Sequence, residues 1–355
     1  MSALARWFMH LGKKVYGYDK TKTPLTQKLV EEGAEIHYVD AVENIVSEVL
    51  DTKENVLVIL TPALPKNHLE LNYFHENNFS VLKRSEVLGL ITKDLYSVAV
   101  AGTHGKTTTS SMIAHILKSA GRSSMALMGG ILQGYESNLI IEGDYSKDTI
   151  AVLEADEYDR SFLRLSPDIA VVTSADPDHL DIYGAHEEMK SSFQEFIQKV
   201  KPNGHVFINE IVASWLTMEK QGISGNTYAL EGKINHAKNI HISDTDFVFD
   251  FHGENDTLEG IKLAVPGYHN VENAIAAIAV ALQLGIKTTH IKTALSSFKG
   301  VKRRFEYHLK SENLVYIDDY AHHPVEINAF IGSVRQMYPN KKITAIFQPH
   351  LFTRT

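Results

Sequence analysis

VAVAGTHGKTTTSSMIAHIL, residues 98–117, joins an apolar β-rich run to a helical pattern through the loop Gly102-Thr103-His104-Gly105-Lys106-Thr107. A chain holds a phosphate in this way. Glycines let backbone N–H groups face an anion, and the helix N-terminus adds the positive end of its dipole. Lys106 can reach the outer phosphates, and the Thr107 hydroxyl can ligate Mg²⁺. The full pattern G-x-x-x-x-G-K-[ST] would put its first glycine at Val100, so the match is incomplete. The loop points to a nucleoside triphosphate and leaves motor, switch, kinase and ligase open.

The chain has 355 residues, 44% of them hydrophobic, which is enough for two or three domains. A net charge of −8 argues against a protein that coats nucleic acid, because neutralising a phosphate backbone needs a basic face. The absence of cysteine excludes disulfides, thiolate metal sites and cysteine nucleophiles, and fits an intracellular setting. The N-terminus has no apolar core long enough for a signal peptide. The longest charge-free apolar run, Asn273 to Ile286, is 14 residues, too short to span a bilayer, and reads as a buried helix.

Outward from the loop, the pattern is α/β. Before it, helical Ser2–Leu11 and Pro24–Glu32 alternate with strands at Lys14–Tyr18, Ala34–Tyr38, Val56–Leu60 and Ser80–Lys83, which predicts a doubly wound parallel sheet. Asp19 ends a strand where such folds place an acid on a ribose hydroxyl; a solvated turn aspartate reads equally well. A second unit starts near Tyr96. It has buried strands at Ile150–Leu153 and Ile169–Thr173, an amphipathic helix at Glu187–Val200, short β segments from Thr227 to Val265, and a helix at Asn273–Leu284. A third begins after Gly300, with strands at Leu314–Ile317 and Ile343–Phe347 around a helix at Pro324–Tyr338. The divisions are residues 1–94, 95–299 and 300–355. The chain opens on a helix without a preceding strand and glycine turn, and its third unit stops after one β-α-β, so both ends read as truncated.

Further motifs follow strand ends. In Glu154-Ala-Asp-Glu-Tyr-Asp159, Glu154 sits where a Mg²⁺ ligand belongs, whereas Asp156, Glu157 and Asp159 read equally as a solvated acidic loop. Ser174-Ala-Asp-Pro-Asp-His179 offers a histidine for a second metal, a phosphate or a turn. Gly267-Tyr-His269-Asn270-Val-Glu-Asn273 puts two asparagines on one helix face, as a cap or a base-binding pocket. Lys302-Arg303-Arg304 is a basic cluster suited to phosphate or to a plain surface patch. Asp318-Asp319-Tyr320-Ala321-His322-His323-Pro324 and Phe347-Gln348-Pro349-His350-Leu351-Phe352-Thr353-Arg354 complete the series.

GTHGKTTT, EADEYD, DHLDIYG, HNVENA, RRFE, DDYAHHP and FQPHLFTRT stand in this order from Ser2 to Thr355, and the chain resembles the Mur ligase family, most of all the members that join L-alanine to UDP-N-acetylmuramate. The resemblance implies three domains: Rossmann-like for the UDP-sugar, P-loop for ATP, and Rossmann-like for the amino acid. It implies an acyl-phosphate mechanism in peptidoglycan precursor synthesis in the cytoplasm, with ATP and Mg²⁺, as a monomer or homodimer without nucleic acid or membrane insertion. Catalysis would rest on Lys106, Glu154 and His179. Gly102, Thr103, His104, Gly105, Lys106, Thr107 and Thr108 would hold the phosphates. His269, Asn270 and Asn273 would face the adenosine, with Arg304 and Asp319 reaching it from the third domain. Thr107 and Glu154 would bind Mg²⁺, and His179 a second metal. Ser137 and Asn138 would lie near the muramoyl group, and Ser2, Asp19, Tyr320, His322, His323, His350 and Arg354 would contact substrates.

The sequence departs from the family at three points. The glycine-rich turn before Ser2 is absent. Gln194, with Lys190 nearby, stands where related ligases carry a modified lysine, and Leu351 follows the His of FQPH where arginine is usual. A sibling ligase that attaches a recycled peptide to the same sugar, and a P-loop ATPase switch or nucleotide binder, are the alternatives. With truncated ends, the chain is expected to bind ATP and to ligate alanine poorly.

Overall fold

A computed structural model describes all residues except 62–63, 159, 177–185, 217–221, 244–245 and 349–355. Two compact units emerge, Met1–Asp94 and Leu95–Thr355.

In the first unit the order is α1 (Ser2–His10), β1 (Tyr16–Tyr18), α2 (Pro24–Glu31), β2 (Glu35–His37), α3 (Ser47–Asp51), β3 (Leu57–Leu60), α4 (Leu69–Glu76), β4 (Ser80–Lys83) and α5 (Arg84–Asp94). Thr23 starts α2 through a capping box with Thr26, and Pro24 supplies a preset φ at its first position. Arg6, buried on α1, is held by Glu32 at 2.6 Å. The strands are parallel, as expected, but they pair two by two, β1 with β2 and β3 with β4, rather than in one doubly wound sheet.

The second unit contains β5 (Tyr96–Ala101), α6 (Lys106–Ser119), β6 (Ser124–Leu132), β7 (Ser137–Glu142), β8 (Ile150–Ala155), β9 (Ile169–Val172), α7 (His186–Gln198), β10 (His205–Asn209), α8 (Glu210–Ala213) and β11 (Ser224–Tyr228). These strands form one mixed sheet in the order β11-β10-β9-β5-β8-β6-β7, in which only β7 runs antiparallel to its neighbour. Val98, Ala99, Val100 and Ala101 are wholly buried at its centre, which explains their unbroken apolar run. Phe162 stacks on Phe196 and meets Phe193 edge-on, so the α7 side is packed too.

A three-stranded antiparallel sheet follows, β12 (His236–Ser243), β13 (Asp246–His252) and β14 (Thr257–Leu263). Phe247, Phe249 and Phe251 alternate inward along β13 with the two-residue period of a half-buried strand. Next come α9 (Tyr268–Gln283) and α10 (Thr288–Ser297). The helix α9 starts five residues before the expected Asn273, because Gly267, at φ +113°, turns the chain into it there.

The last elements are β15 (Glu306–Lys310), β16 (Val315–Asp318) and α11 (Pro324–Met337). The expected β-α-β becomes a hairpin and a helix: β15 and β16 pair antiparallel, with Glu306 opposite Asp318. Residues 342–348, expected to include a strand at Ile343–Phe347, form no regular element. No described strand pairs with them, and Ile346 is 95% exposed. A bridge between Leu132 and Val301 joins the end of β6 to the segment before β15. Two bonds flank it: the Gln133 N–H donates to Gly300 O at 3.0 Å and the Lys302 N–H to Ile131 O at 2.8 Å.

Candidate active site

Strand order assembles the site. The central strand β5 lies between β8 and β9, so the C-terminal ends of three parallel strands open onto one crevice. β5 delivers the loop, β8 delivers Glu154, and β9 delivers Thr173 and Ser174. A cleft of about 480 Å³ lies beside the loop, within the size range of nucleotide sites. His104, Gly105, Thr107, Thr108, Asn270 and Asn273 line its polar side, and Val325, Ala329, Phe330, Trp215 and Tyr228 contribute apolar surface.

The two loop glycines have separate tasks. Gly102, at φ +141°, packs against Thr173 and Ser174 where any Cβ would collide with both. This close approach lets the Thr103 N–H donate to Ser174 O at 3.2 Å and the His104 N–H to Ser174 Oγ at 2.7 Å. Those two amides are thereby taken up within the protein, whereas the amides of the first turn of α6 have no carbonyl within the helix to bond and can face an anion. Gly105, at φ +81°, precedes that turn, and a Cβ on it would lie 2.6 Å from Asn273 Oδ1.

Lys106 extends to Glu157, whose carboxylate oxygens lie 2.8 and 2.9 Å away, and also donates to Gly102 O at 2.6 Å. Glu157 is fully buried, so the solvated-loop reading fails for it, although neighbouring Asp156 is exposed. Burial pushes the Glu157 carboxyl up, and the Lys106 ammonium opposes that shift. Thr107 Oγ1 donates to Glu154 Oε2 at 3.0 Å, while the Gly129 N–H donates to Glu154 Oε1 at 2.6 Å.

The α9 asparagines are partly committed to structure. Asn270 Nδ2 donates to Pro266 O at 2.6 Å, and Asn273 Oδ1 accepts from Thr109 Oγ1 at 3.2 Å, docking α9 on α6. Both still line the cleft with His269. Burial, with Arg304 nearby, pushes the His269 imidazole down to about 4, so it is neutral at pH 7.

Arg304 and Asp319 line the same cleft. Asp319 accepts from the Phe305 and Ala321 N–H groups, each at 2.8 Å, and burial pushes its carboxyl up. The Tyr320 ring lies under the Arg303 and Arg304 guanidiniums at 5.0 and 5.4 Å. His323 caps α11, and His322 Nδ1 lies 3.0 Å from Tyr320 O. Ser137 and Asn138 sit at the start of edge strand β7 and are not among the cleft's lining residues. Ser2 and Asp19 belong to the first unit; Ser2 is buried on α1, and Asp19 is an exposed turn residue accepting from Thr21 N–H at 3.0 Å. His179, Asp159, His350, Leu351 and Arg354 lie outside the described residues. On α7, Lys190 lies 5.4 Å from the ring of the cleft residue Trp215, one turn from Gln194.

Sequence reading missed Glu157, Ser174 and Glu326. Glu326 on α11 accepts from His104 Nδ1 at 3.0 Å and from the His322 N–H at 3.2 Å. The four-residue spacing of His322 and Glu326 was its one visible sign. Away from the cleft, donor atoms of Glu306, His308 and Asp318 converge within 4.8 Å on the β15–β16 hairpin, but the Arg303 guanidinium already lies 3.6 Å from Asp318.

The Mur ligase middle-domain profile matches residues 100–281, the Mur ligase family catalytic-domain profile residues 1–96, and the Mur ligase glutamate-ligase-domain profile residues 303–354. The UDP-N-acetylmuramate–L-alanine ligase of Flavobacterium johnsoniae is 50% identical over 355 residues, all of this chain and 76% of that protein. The crystal structure of UDP-N-acetylmuramate-alanine ligase from Thermotoga maritima matches with TM-score 0.83 at 29% identity, covering 98% of this chain and 78% of that one. A UDP-N-acetylmuramate:L-alanyl-gamma-D-glutamyl-meso-diaminopimelate ligase from Neisseria meningitides shares the fold at TM-score 0.72 and 22% identity, over 85% of this chain and 96% of that one. The chain belongs to the Mur ligase family, in the group of the UDP-N-acetylmuramate–L-alanine ligases.

Proposed function

We propose that this chain joins L-alanine to the carboxylate of UDP-N-acetylmuramate in an ATP-dependent step of peptidoglycan precursor synthesis. The observation that carries this reading is the 50% identity to the alanine ligase of F. johnsoniae along the whole chain. The peptide ligase described above shares the fold at 22% identity, which does not favour its substrate over alanine. A motor or switch has none among the relatives described.

In the proposed reaction, a muramoyl carboxylate oxygen attacks the γ-phosphorus, and the bond from phosphorus to the ADP oxygen breaks. The alanine amine then attacks the acyl-phosphate carbon, the carbon–oxygen bond to phosphate breaks, and the amine gives up a proton as the amide forms. The difficulty is bringing two anions together. Lys106 would exchange Glu157 for phosphate oxygens, and the first-turn amides of α6 would bond the same group. Asn270, Asn273 and His269 would line the adenosine end, and Arg304 and Asp319 would close it.

Mg²⁺ fits Thr107 and Glu154: two hard oxygen donors 3.0 Å apart sit beside the loop. Bound there, the ion supplies positive charge to the phosphates. His179 remains the proposed ligand of a second metal. The three-part division at 94/95 and 299/300 is retained as a proposal, with the UDP-sugar, ATP and the amino acid in that order. Among the described residues no helix is long and apolar enough to cross a membrane. A cytoplasmic setting is proposed because ATP and a UDP-sugar are met there.

The test is mass analysis of products from ATP, UDP-N-acetylmuramate and either L-alanine or a murein tripeptide. UDP-N-acetylmuramoyl-alanine with stoichiometric ADP is expected. Exclusive peptide ligation, or ATP hydrolysis without an amide, would overturn the proposal.

A further inference from the structure

One carboxylate on α11 grips both the phosphate loop and the basic residue facing it. Glu326 Oε1 lies 3.0 Å from His104 Nδ1 and 3.6 Å from Arg304 Nη1. Its Oε2 accepts the His322 N–H at 3.2 Å. The grip is stiff: Glu326 is in the first turn of α11, where the helix dipole favours an anion, and its side chain is 13% exposed. The His104 and His323 rings pack at 5.1 Å. A carboxylate cannot donate a hydrogen bond when ionised, so the hydrogen in the Glu326 contact belongs to His104 Nδ1. The second ring nitrogen, Nε2, is buried with no hydrogen-bond partner among the described residues, and lies 3.6 Å from Asp176 Oδ2. His104 is thus clasped between a carboxylate on α11 and one following β9, and His104, Glu326, Asp176 and Arg304 all line the cleft.

We infer that Glu326 is a positioning residue for nucleotide binding: it holds His104 of the phosphate loop and Arg304 in one register across the cleft, so that loop geometry depends on a side chain of α11. This rests on reading the cleft as the ATP site. Arrangement of charge supports it. The Glu326 carboxyl is held down to about 2 by the His104 bond and by Arg304, against its burial, so it is an anion throughout the physiological range. Without it, Arg304 loses the carboxylate that lies 3.6 Å away, and His104 loses the acceptor that sets its tautomer.

The test uses the full chain with ADP as the probe, so that it does not depend on ligation. Calorimetry on Glu326→Ala should show ADP affinity lowered about tenfold, with Glu326→Gln, which keeps an acceptor but not the charge, lowered about threefold. At pH 8.5, histidine ¹⁵N spectra, assigned through His104→Gln, should show His104 as the Nδ1–H tautomer in the wild type and in Glu326→Gln, and not in Glu326→Ala. In a His104→Ala background, Glu326→Ala should cost clearly less than it does alone. Wild-type ADP affinity in a folded Glu326→Ala protein, an unchanged tautomer, or fully additive losses would overturn the inference. Should Glu326→Ala fail to fold, an unchanged ADP affinity in Glu326→Gln would do so. Failure of alanine ligation in the wild type would sink the ligase reading and leave this measurement standing.

Discussion

The Lys106 ammonium lies 2.8 Å from the carboxylate of Glu157, a side chain with no exposed surface. Removing one partner of a buried pair strands the other. Lys106→Ala is therefore expected to abolish ligation and also to lower stability by about 3 kcal/mol. The double variant Lys106→Ala/Glu157→Gln should regain most of that stability and none of the activity. Chemical denaturation beside a ligation assay checks both. A fully stable Lys106→Ala protein would contradict the pairing.

Glu154 and Asp156 stand two residues apart with different surroundings. Glu154 is fixed by the Thr107 hydroxyl and the Gly129 amide, whereas Asp156 is exposed. Glu154→Gln should raise the Mg²⁺ concentration for half-maximal activity at least about tenfold, and Asp156→Asn by less than about twofold. Equal Mg²⁺ titrations would refute the assignment of Glu154.

Glycines 105 and 121 both have positive φ but differ in their neighbours. A Cβ on Gly105 would lie 2.6 Å from Asn273 Oδ1, while one on Gly121 meets nothing within 4 Å. Gly121→Ala should cost about 1 kcal/mol from backbone conformation alone. Gly105→Ala should cost about 3 kcal/mol and also weaken ADP binding, because the Asn273 amide must turn away from the loop and give up its Thr109 bond. Matching losses in the two variants would show that the Asn273 contact is not limiting.

His269 makes stability fall in acid. Its folded pKa is lowered to about 4 from 6.5, so the unfolded chain binds the proton more readily. Its contribution is fully present above pH 6.5 and is lost as pH falls toward 4, amounting to about 3 kcal/mol. Glu326, lowered to about 2, acts in the same direction but in a lower window, from 4.5 to 2. His269→Asn should flatten the stability curve between pH 6.5 and 4 only. An unaltered slope there would rule out the buried neutral imidazole.

Much of this was legible before any coordinates. Val98–Ala101 announced a central strand because all four side chains are buried, and the loop after it needed glycine at two positions. Glu154 could be singled out because a buried strand fixes its place. Glu157 could not be, since its neighbours in EADEYD include exposed Asp156, and its burial and its pairing with Lys106, 51 residues away, appear only in the fold. Ser174 serves a loop amide 70 residues away, a relation no local pattern carries. Ile343–Phe347 misled for the opposite reason: its apolar residues suggest a strand, but a strand needs a ladder partner.

The bridge between Leu132 and Val301 sets a leash length. Hydrogen bonds on both sides of Val301 pin it to the end of β6, and Arg304 follows Lys302 by only two residues. At no more than about 3.5 Å per residue, its backbone cannot stray beyond roughly 7 Å from Lys302 while those bonds hold. Movement of the residues beyond is thereby a pivot about a point on the sheet rather than a free translation. The radius of that pivot is written into the strand order, since β6 neighbours β8, and β8 neighbours the strand that carries the phosphate loop.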